Sequence, residues 1–261
     1  MFKTITPLIL SFNEAPNIGR VLDRLRWAQR VVVLDSFSTD ETESIARGYE
    51  NVSFFRRRFG SHADQWNFGL QQTGITTEWV LALDSDYVLP EAFLSEIQSL
   101  TPTDEVAGYR AGFRYCIEGV PLRGTVYTPV TVLFRRDRAV YVQAGHTQRL
   151  EPTGAVQMLS SPIHHDDRKP LAEWFTAQIR YMELEAIHIL ATPFKRLDGP
   201  DKVRSLIVIA PLAMFMYCLV AKGALIDGPR GWFYAAQRAV AEAILSVFLL
   251  HGLLPRRDLR G

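Results

Sequence analysis

The chain has only two cysteines, Cys116 and Cys218, among its 261 residues. Two cysteines are too few for a disulfide-stapled scaffold or a four-cysteine zinc module, and they are typical of a reducing compartment. The formal net charge of +1 excludes a broadly cationic nucleic-acid coat, so we expect no nucleic-acid partner. No Gly-x-Gly-x-x-Gly or Walker sequence follows the first apolar run, which argues against a dinucleotide fold or a P-loop. No long apolar stretch precedes Pro7, so we expect no secretory signal.

The residues that are present favour a packed α/β protein. Hydrophobic residues make up 48% of the chain and charged residues 22%, which is enough for a substantial core. Over residues 1–100, apolar runs alternate with helical periodicity, and we predict strands at 5–11, 31–34, 52–55 and 79–83 with helices between them. This order predicts a parallel sheet with right-handed crossovers. We also expect Ser38 and Glu41 to form a capping box at the start of the second helix.

Polar residues cluster where three of these predicted strands end, at 11–14, 35–40 and 84–86. Ligands of such sheets bind at the carboxyl ends of the strands, so the three clusters predict one site. Asp84 and Asp86 flank a single residue, and the two-residue period of a strand places both carboxylates on one side. Two hard oxygen ligands suit Mg²⁺ or Mn²⁺ bridging a diphosphate. Asp35 ends an apolar strand and needs partners, which a nucleobase or a ribose hydroxyl would supply.

The last part of the chain is apolar and carries more basic than acidic residues. Ser205–Ala221 spans 17 residues without a charge, the lower limit for crossing a bilayer. Gly231–Leu254 is also apolar but contains Arg238 and Glu242. We predict two helices that lie in one leaflet of a membrane, and a buried helical hairpin is the alternative. Trp232 and the basic residues near it favour an interface with anionic lipid.

Three motifs together carry a family resemblance. Leu8–Glu14, Val33–Asp40 and Trp79–Asp86, in this order and at these spacings, resemble the signature of glycosyltransferase family 2, inverting enzymes of the GT-A fold. The second motif and the Gln65–Leu70 segment resemble the bacterial branch similar to lipopolysaccharide-core β-1,4-glucosyltransferases. The resemblance implies an α/β GT-A fold, Rossmann-like, with a mostly parallel sheet and flanking helices, to which the C-terminal apolar extension is added.

The resemblance also implies roles for individual residues. The nucleotide would be bound by residues of the strand ends and the third helix, namely Ser11, Asn13, Glu14, Asp35, Ser36, Gln65, Asn67 and Asp84. Mn²⁺ or Mg²⁺ would be held by Asp84 and Asp86. A histidine late in the domain often completes such a metal site, and His164 and His165 are the candidates here.

The catalytic base stays open among four residues. The branch usually has an acid after its metal motif, where this chain has Tyr87. The resemblance also implies a His-Glu pair about sixty residues later. When His146 is aligned with that histidine, Thr147 stands in place of the glutamate. The candidates for the base are Asp166, Asp167, His146 and Glu151.

The sequence therefore predicts a metal-dependent inverting hexosyltransferase. It would move a sugar from a nucleotide sugar, most simply a UDP-sugar, to a lipid-linked or cell-envelope glycan at the cytoplasmic face of the inner membrane, as a peripheral or monotopic protein in contact with membrane lipids. We expect a catalytic domain at 1–191, a linker at 192–202 and a membrane-associated hairpin at 203–261. The alternatives are a polyprenyl-phosphate glycosyl synthase and a non-catalytic GT-A module that binds nucleotide or partner proteins.

Overall fold

The computed structural model describes residues 1–144 and 147–254. The chain divides into two compact units. The first unit contains Met1–Pro121 and Tyr127–Lys169, and the second contains Leu122–Val126 together with the chain from Pro170 onward. The short segment Leu122–Val126 thus leaves the first unit, joins the second and returns.

The first unit alternates strands and helices, as the sequence predicts. Its helices are α1 (Ile18–Asp23), α2 (Thr42–Arg47), α3 (His62–Gln72) and α4 (Glu91–Ser99). Its strands are β1 (Ile5–Ser11), β2 (Val31–Asp35), β3 (Val52–Arg56), β4 (Trp79–Asp84), β5 (Tyr87–Val88), β6 (Val106–Ala111), β7 (Phe113–Ile117), β8 (Val120–Pro121), β9 (Val130–Arg135), β10 (Ala139–Ala144), β11 (Thr147–Pro152), β12 (Ala155–Met158) and β13 (Ile163–His165).

The main sheet has seven strands in the order β12-β6-β9-β4-β1-β2-β3. The four strands from β4 to β3 are parallel, and β9 runs antiparallel to both of its neighbours. A smaller sheet has the order β5-β13-β7-β8, and β10 pairs with β11 in a separate ribbon. The predicted mostly parallel sheet with flanking helices is confirmed.

Side chains from both faces of the sheet form the core of this unit. Ile9 and Leu34 are fully buried in strands β1 and β2. Ile18, Val21 and Leu22, which recur at helical spacing, bury the inner face of α1 against the sheet. On the other face, Leu8, Trp66 and Leu70 pack together beneath α3.

The predicted capping box at the second helix is wrong. The helix begins at Thr42, and its N-cap residue Glu41 makes no side-chain cap bond. The Thr42 N–H donates to Asp40 Oδ1 at 3.0 Å. The Ser38 hydroxyl donates to Asp35 Oδ2 at 2.5 Å instead. Asp35 is fully buried at the end of β2, and a buried carboxylate requires hydrogen-bond donors more than an exposed helix end does.

The second unit is helical. It contains α5 (Leu171–Ala191), α6 (Gly199–Arg204), α7 (Ile209–Met216), a π-helical turn over Tyr217–Ala221, and α8 (Gly228–Leu253). Ala186 and Ile189 of α5 pack with Leu245 and Leu249 of α8. Compactness therefore groups α5 with the apolar helices, whereas the sequence predicts that 171–191 belongs to the catalytic domain. The segment predicted as a linker, 192–202, carries a 3₁₀ turn and most of α6.

Within the described residues, one helical stretch, Ala224–Leu253, has the length and apolar composition needed to cross a membrane. A shorter apolar helical stretch covers Ile209–Ala221. Many large hydrophobic side chains of this unit are exposed, among them Val208, Leu212, Val220, Ile226, Val247 and Leu253. The carboxylates of Glu185 and Asp201 are buried, and Arg204 pairs with them at 2.7 and 3.1 Å.

Candidate functional site

The register of the parallel strands brings the predicted polar clusters to one edge of the sheet. Ser11 at the end of β1 lies opposite Asp35 at the end of β2, and Leu10 lies opposite Asp84 at the end of β4. The Ser85 hydroxyl donates to the Leu10 carbonyl at 2.7 Å, which fixes the turn between Asp84 and Asp86. The carboxyl ends of β1, β2 and β4 thus form the floor of a candidate site.

Asp35 organises the loops around this floor. Its carboxylate accepts bonds from the Ser11 hydroxyl at 2.9 Å and from the Ser38 backbone N–H at 2.8 Å, in addition to the Ser38 hydroxyl. The Ser38 hydroxyl in turn accepts the Asn13 N–H at 2.8 Å, and Asn13 Oδ1 accepts the Thr39 N–H at 2.9 Å. The carboxylate therefore ties the loop after β1 to the loop after β2.

Asp86 and His165 form the central pair of the site. His165 ends β13, and its Nε2 lies 2.8 Å from Asp86 Oδ2. Burial opposes the charged forms of both groups, but their mutual attraction dominates. It lowers the pKa of the Asp86 carboxyl and raises the pKa of the His165 imidazole. The prediction that the late histidine segment meets the Asp-x-Asp turn agrees with this geometry.

Each member of this pair has one buried polar atom without a partner among the described residues. These atoms are Asp86 Oδ1 and His165 Nδ1. A buried polar atom that lacks a hydrogen bond is costly, and a ligand or ion supplies the missing partner in many sites. Carboxylate and imidazole are both ligands of Mn²⁺, so the donor set fits a divalent cation.

Asp84 lies beside this pair but remains open to solvent at the strand end. The pKa of Asp84 is raised to about 6. The larger cause is desolvation by the surrounding protein, and the second is the negative charge of the neighbouring Asp86 carboxylate. The Tyr87 hydroxyl bonds to the Asp84 carboxylate and partly offsets that rise. No three His, Cys, Asp or Glu side chains of the described residues are already arranged as a metal cage. Asp84 would therefore have to turn toward the pair to share a cation with it.

His164, the other predicted metal ligand, is not part of this cluster. Successive side chains of a strand point to opposite faces, so His164 faces away from His165. Burial, then the Arg114 guanidinium, lowers the pKa of His164. The placement of His164 therefore does not support its assignment as a metal ligand, whereas His165, the other predicted ligand, lies against Asp86.

Aromatic rings surround His165 on three sides. The rings of Tyr127, Tyr115 and Tyr87 meet its imidazole edge-on at centroid distances of 4.8, 5.1 and 5.4 Å. Tyr115 and Tyr127 are stacked on each other at 5.9 Å. These rings fix the orientation of the imidazole and exclude water from around it.

Glu14 and Lys169 form an ion pair at the same edge. Lys169 Nζ donates to Glu14 Oε1 at 2.5 Å. Burial raises the pKa of the Glu14 carboxyl to about 7, against the opposing effect of the Lys169 ammonium. The Glu14 carboxylate raises the pKa of Lys169 in spite of burial, and the carboxylates of Asp167 and Asp86 add to that effect. Lys169 therefore supplies a stable positive charge close to the Asp86–His165 pair.

Asp166, one of the four candidate bases, is engaged in ion pairs and hydrogen bonds that hold neighbouring segments together. It is buried and accepts bonds from Arg20 at 2.6 Å, from Arg168 at 2.7 Å and from the Gly119 N–H at 3.2 Å. Both oxygens of this carboxylate are already engaged by guanidinium groups, so neither is directed at an acceptor hydroxyl. This placement argues against Asp166 as the base.

Asp167 is the candidate base that the structure places best. Its Oδ1 accepts bonds from Asn17 Nδ2 at 2.8 Å and from the Lys169 N–H at 3.0 Å. Within the described residues no hydrogen bond engages Oδ2. The Asp167 carboxylate contributes to raising the pKa of both His165 and Lys169, so it lies in their neighbourhood. One oxygen is thus held, while the other accepts no bond from the described residues.

The two remaining candidate bases lie elsewhere. Glu151 stands opposite Val140 in the β10–β11 ribbon, and it pairs with Arg149 on that exposed face. The neighbouring Tyr141 points the other way, into the core. Glu151 is therefore directed away from the site. His146 lies outside the described residues.

The predicted residues of α3 contact the chain rather than an open cleft. Gln65 is buried and bonds through Oε1 to Arg57 at 2.8 Å and through Nε2 to the Ser36 hydroxyl at 3.2 Å. The Asn67 amide pairs with the Tyr141 backbone through both Nδ2 and Oδ1, at 2.7 and 3.0 Å. Gln65 thus supports the loop that carries Ser36, and Asn67 joins α3 to β10.

Several residues that support the site are not predicted from the sequence. Asn17 is fully buried and bonds to Glu14, Asp167, Arg20 and the Arg168 backbone. The only local signal is an amide at the first turn of α1, a position that ordinarily suggests a cap. Tyr115 and Tyr127 do not belong to a recognisable sequence motif. Tyr115 lies beside His165 because of the register in which β7 pairs with β13.

Comparison with known proteins gives a match to one protein family. The model described as "Glycosyl transferase family 2" matches residues 8–154. The lipopolysaccharide core biosynthesis glycosyltransferase LpsC of Rhizobium meliloti (strain 1021) is 28% identical over 139 residues. That alignment covers 51% of this chain and 48% of the relative, so the chain spans about half the length of the curated relative it matches.

Solved structures resemble the chain at lower identity. S. aureus TarS residues 1–349, in complex with UDP-GlcNAc, gives a TM-score of 0.50 at 15% identity and covers 95% of this chain and 91% of that chain. Glucosyl-3-phosphoglycerate synthase from Mycobacterium tuberculosis, with Mn²⁺, UDP and phosphoglyceric acid, gives a TM-score of 0.46 at 15% identity, over 73% of this chain and 80% of that one. The likeness to TarS is one of fold.

Proposed function

Because the chain belongs to glycosyl transferase family 2, we propose that it transfers a sugar from a nucleotide sugar to a lipid-linked or cell-envelope glycan, with inversion at the anomeric carbon. The observation that carries the proposal is the Asp86–His165 pair at the carboxyl end of β4, with a buried, unpartnered polar atom on each side chain. The matched relative, named for lipopolysaccharide core biosynthesis, supports an envelope acceptor. TarS, whose structure contains UDP-GlcNAc, supports a UDP-sugar as donor.

The metal-binding residues in this proposal are Asp86 and His165, with Asp84 as the third. Their donor atoms fit Mn²⁺ or Mg²⁺, and the unpartnered Asp86 Oδ1 is the atom best placed to turn to an ion. When bound, the cation supplies positive charge that offsets the charge growing on the leaving diphosphate.

In this proposal the other residues of the site accept a proton and bind the nucleoside. Asp167 Oδ2 accepts the proton of the acceptor hydroxyl, while Asn17 and the Lys169 N–H hold Oδ1 in place. The hydroxyl oxygen bonds to the anomeric carbon as the bond from that carbon to the diphosphate oxygen breaks, and the diphosphate leaves with the electron pair. The loops tied together by Asp35 and Ser38 hold the nucleoside at the strand ends.

The second unit supports action at a membrane surface. Its exposed surface is rich in large apolar side chains, and the Arg204 guanidinium pairs with the buried Glu185 carboxylate. A large exposed apolar surface is typical of helices lying in a lipid interface. We propose that the chain binds anionic lipid at the cytoplasmic face of the inner membrane through this unit, as a peripheral or monotopic protein.

Nucleotide release by the purified chain in detergent tests the proposal. UDP-, GDP- and ADP-sugars are each offered with Mn²⁺ or Mg²⁺, with and without EDTA and with membrane lipid extract or a polyprenyl phosphate as acceptor. We expect release from one donor, lost with EDTA and in Asp86→Asn. Asp137→Asn, which changes an exposed aspartate of the same unit, is the matched control and should keep full activity.

The outcomes separate three functions. Transfer to a glycan in the lipid extract supports the proposal, whereas transfer only to the polyprenyl phosphate identifies a polyprenyl-phosphate glycosyl synthase. Release that Asp86→Asn leaves unchanged would contradict the assigned site. No release from any donor would favour a non-catalytic module.

A further inference from the structure

Tyr87, in the first unit, contacts two of the three proposed metal-binding residues. It lies directly opposite His165 in the antiparallel pairing of β5 with β13, and its ring meets the His165 imidazole edge-on with 5.4 Å between the ring centroids. Its hydroxyl bonds to the carboxylate of Asp84, the last residue of β4. Asp84 and His165 are far apart in the chain, and this one side chain joins them.

The surrounding strands restrict where the Tyr87 ring lies. The Asp166 N–H donates to the Asp86 carbonyl at 2.9 Å, which continues the pairing of the two strands past Tyr87. The ring also packs against Phe113 of β7, with 4.8 Å between the ring centroids. A ring that packs on a cross-strand partner and on a second ring has little freedom to rotate. The position of the Tyr87 hydroxyl is therefore set by the fold of this unit.

The Tyr87 hydroxyl is the donor in its bond to Asp84. Burial, followed by the negative charges of Asp84 and Asp86, raises the pKa of this phenol well above its ordinary value, so it keeps its proton. A single O–H donates to one oxygen of a carboxylate and leaves the second oxygen available. The bond to Tyr87 is therefore compatible with a second contact of the Asp84 carboxylate to a cation.

We propose that Tyr87 is a positioning residue of the metal site, which holds the Asp84 carboxylate and the His165 imidazole in the orientations that a shared cation needs. Its hydroxyl engages one oxygen of Asp84, and the other oxygen turns to the cation beside Asp86. Outer hydrogen bonds of this kind orient metal ligands, and losing one typically weakens metal binding by about 10- to 100-fold. The inference rests on the proposed function, because the metal site belongs to it.

A double-mutant cycle on Mn²⁺ binding tests this inference in the full chain in detergent. Electron paramagnetic resonance of free Mn²⁺, at one fixed concentration of UDP, gives the affinity of the unaltered chain, Tyr87→Phe, Asp84→Ala and the double variant. Tyr87→Phe keeps the ring and removes only the hydroxyl, and it should weaken Mn²⁺ binding about tenfold. In the Asp84→Ala background the same change should have an effect of less than about twofold, because the carboxylate through which the hydroxyl acts is already absent.

Tyr49→Phe is the matched control within the same unit. The Tyr49 hydroxyl donates to the Gly19 carbonyl at 2.9 Å and to Asp23 Oδ1 at 3.0 Å, so this variant also removes a phenol that bonds to a carboxylate. Because neither acceptor is a proposed metal ligand, Tyr49→Phe should leave the Mn²⁺ affinity within about twofold.

An equal loss of affinity from Tyr87→Phe in both backgrounds would overturn the inference, because the hydroxyl would then not act through Asp84. Unchanged or tighter Mn²⁺ binding in Tyr87→Phe would overturn it as well, because the hydroxyl would then be without effect on Asp84 or would hold it away from the cation. If the unaltered chain itself binds no Mn²⁺, the metal site of the proposed function fails and the inference falls with it. That result differs from a site that binds Mn²⁺ and does not respond to Tyr87.

Discussion

The two units differ in how much apolar surface they expose and in where their polar groups lie. The first unit packs apolar residues such as Ile9 and Leu34 inside, and collects its polar groups at the strand ends. The second unit buries the ion cluster of Arg204 with its carboxylate partners, and leaves residues such as Val208 and Ile226 open. A buried charge is tolerated only when it is paired, and a large exposed apolar surface is tolerated when something apolar covers it. The comparison supports the proposal that the second unit lies against lipid, while the first unit carries the candidate site.

The largest expected effect is a difference in transfer rate between variants of two adjacent histidines in the first unit. His165→Gln should lower the transfer rate by about 10³-fold, because it removes a proposed metal ligand that stabilises the transition state by several kcal/mol. His164→Gln should change the rate by less than about threefold, since that side chain faces Arg114 rather than Asp86. Initial rates at saturating donor and Mn²⁺ measure both. Equal losses in the two variants would mean that β13 contributes through its fold and not through a ligand.

The next effect compares matched leucines in the two units. Leu8 is fully buried and sits against Gly69 and Trp66, so Leu8→Ala should lower the free energy of unfolding by about 3 kcal/mol. Leu212 is 66% exposed, and Leu212→Ala should change that free energy by less than about 0.5 kcal/mol. Denaturant unfolding in one detergent, followed by tryptophan fluorescence, checks both values. A large loss in Leu212→Ala would show that its face is covered by protein and not by lipid.

A smaller effect tests the lipid surface itself. Ile226 is 71% exposed, and Ile226→Asp should weaken binding to anionic vesicles about tenfold, because an apolar contact is lost and a like charge is added. Val140 is 44% exposed in the first unit, and Val140→Asp should leave vesicle binding within about twofold. Co-sedimentation with phosphatidylglycerol vesicles compares the two. The division of roles between the units would not stand if both variants lost the same affinity.

The sequence predicts most of the first unit because its local signals agree with one another. The apolar runs at β1, β2 and β4 are bounded by turn residues, and their parallel pairing follows from the helices between them. That pairing carries Asp35, Asp84 and Asp86 to one edge without further information. The meeting of Asp86 with His165 needed the family resemblance as well, since the two residues are far apart in the chain.

What the sequence does not predict depends on contacts between distant segments. The His-His-Asp-Asp run supplies four residues of suitable chemistry, but only their contacts with distant segments show which of them faces the site. Arg20 and Arg168 form ion pairs with Asp166, while Asn17 donates a hydrogen bond to Asp167. Ser38 has the spacing of a helix cap, yet the buried Asp35 takes its hydroxyl. The bonds that Asp227 and Tyr234 accept from the 122–126 backbone have no local signal, because the two acceptors are more than a hundred residues away along the chain.

Binding of Mn²⁺ to the full chain tests the central claim most directly. Electron paramagnetic resonance counts bound Mn²⁺ in the presence of UDP, for the unaltered chain, Asp86→Asn and the matched Asp137→Asn. The account predicts that the unaltered chain and Asp137→Asn bind Mn²⁺ with the same affinity and that Asp86→Asn binds it at least about 100-fold more weakly, because a ligand carboxylate has become an amide. Equal Mn²⁺ affinity in all three chains would contradict the claim that the Asp86–His165 pair is the metal site of a sugar transferase.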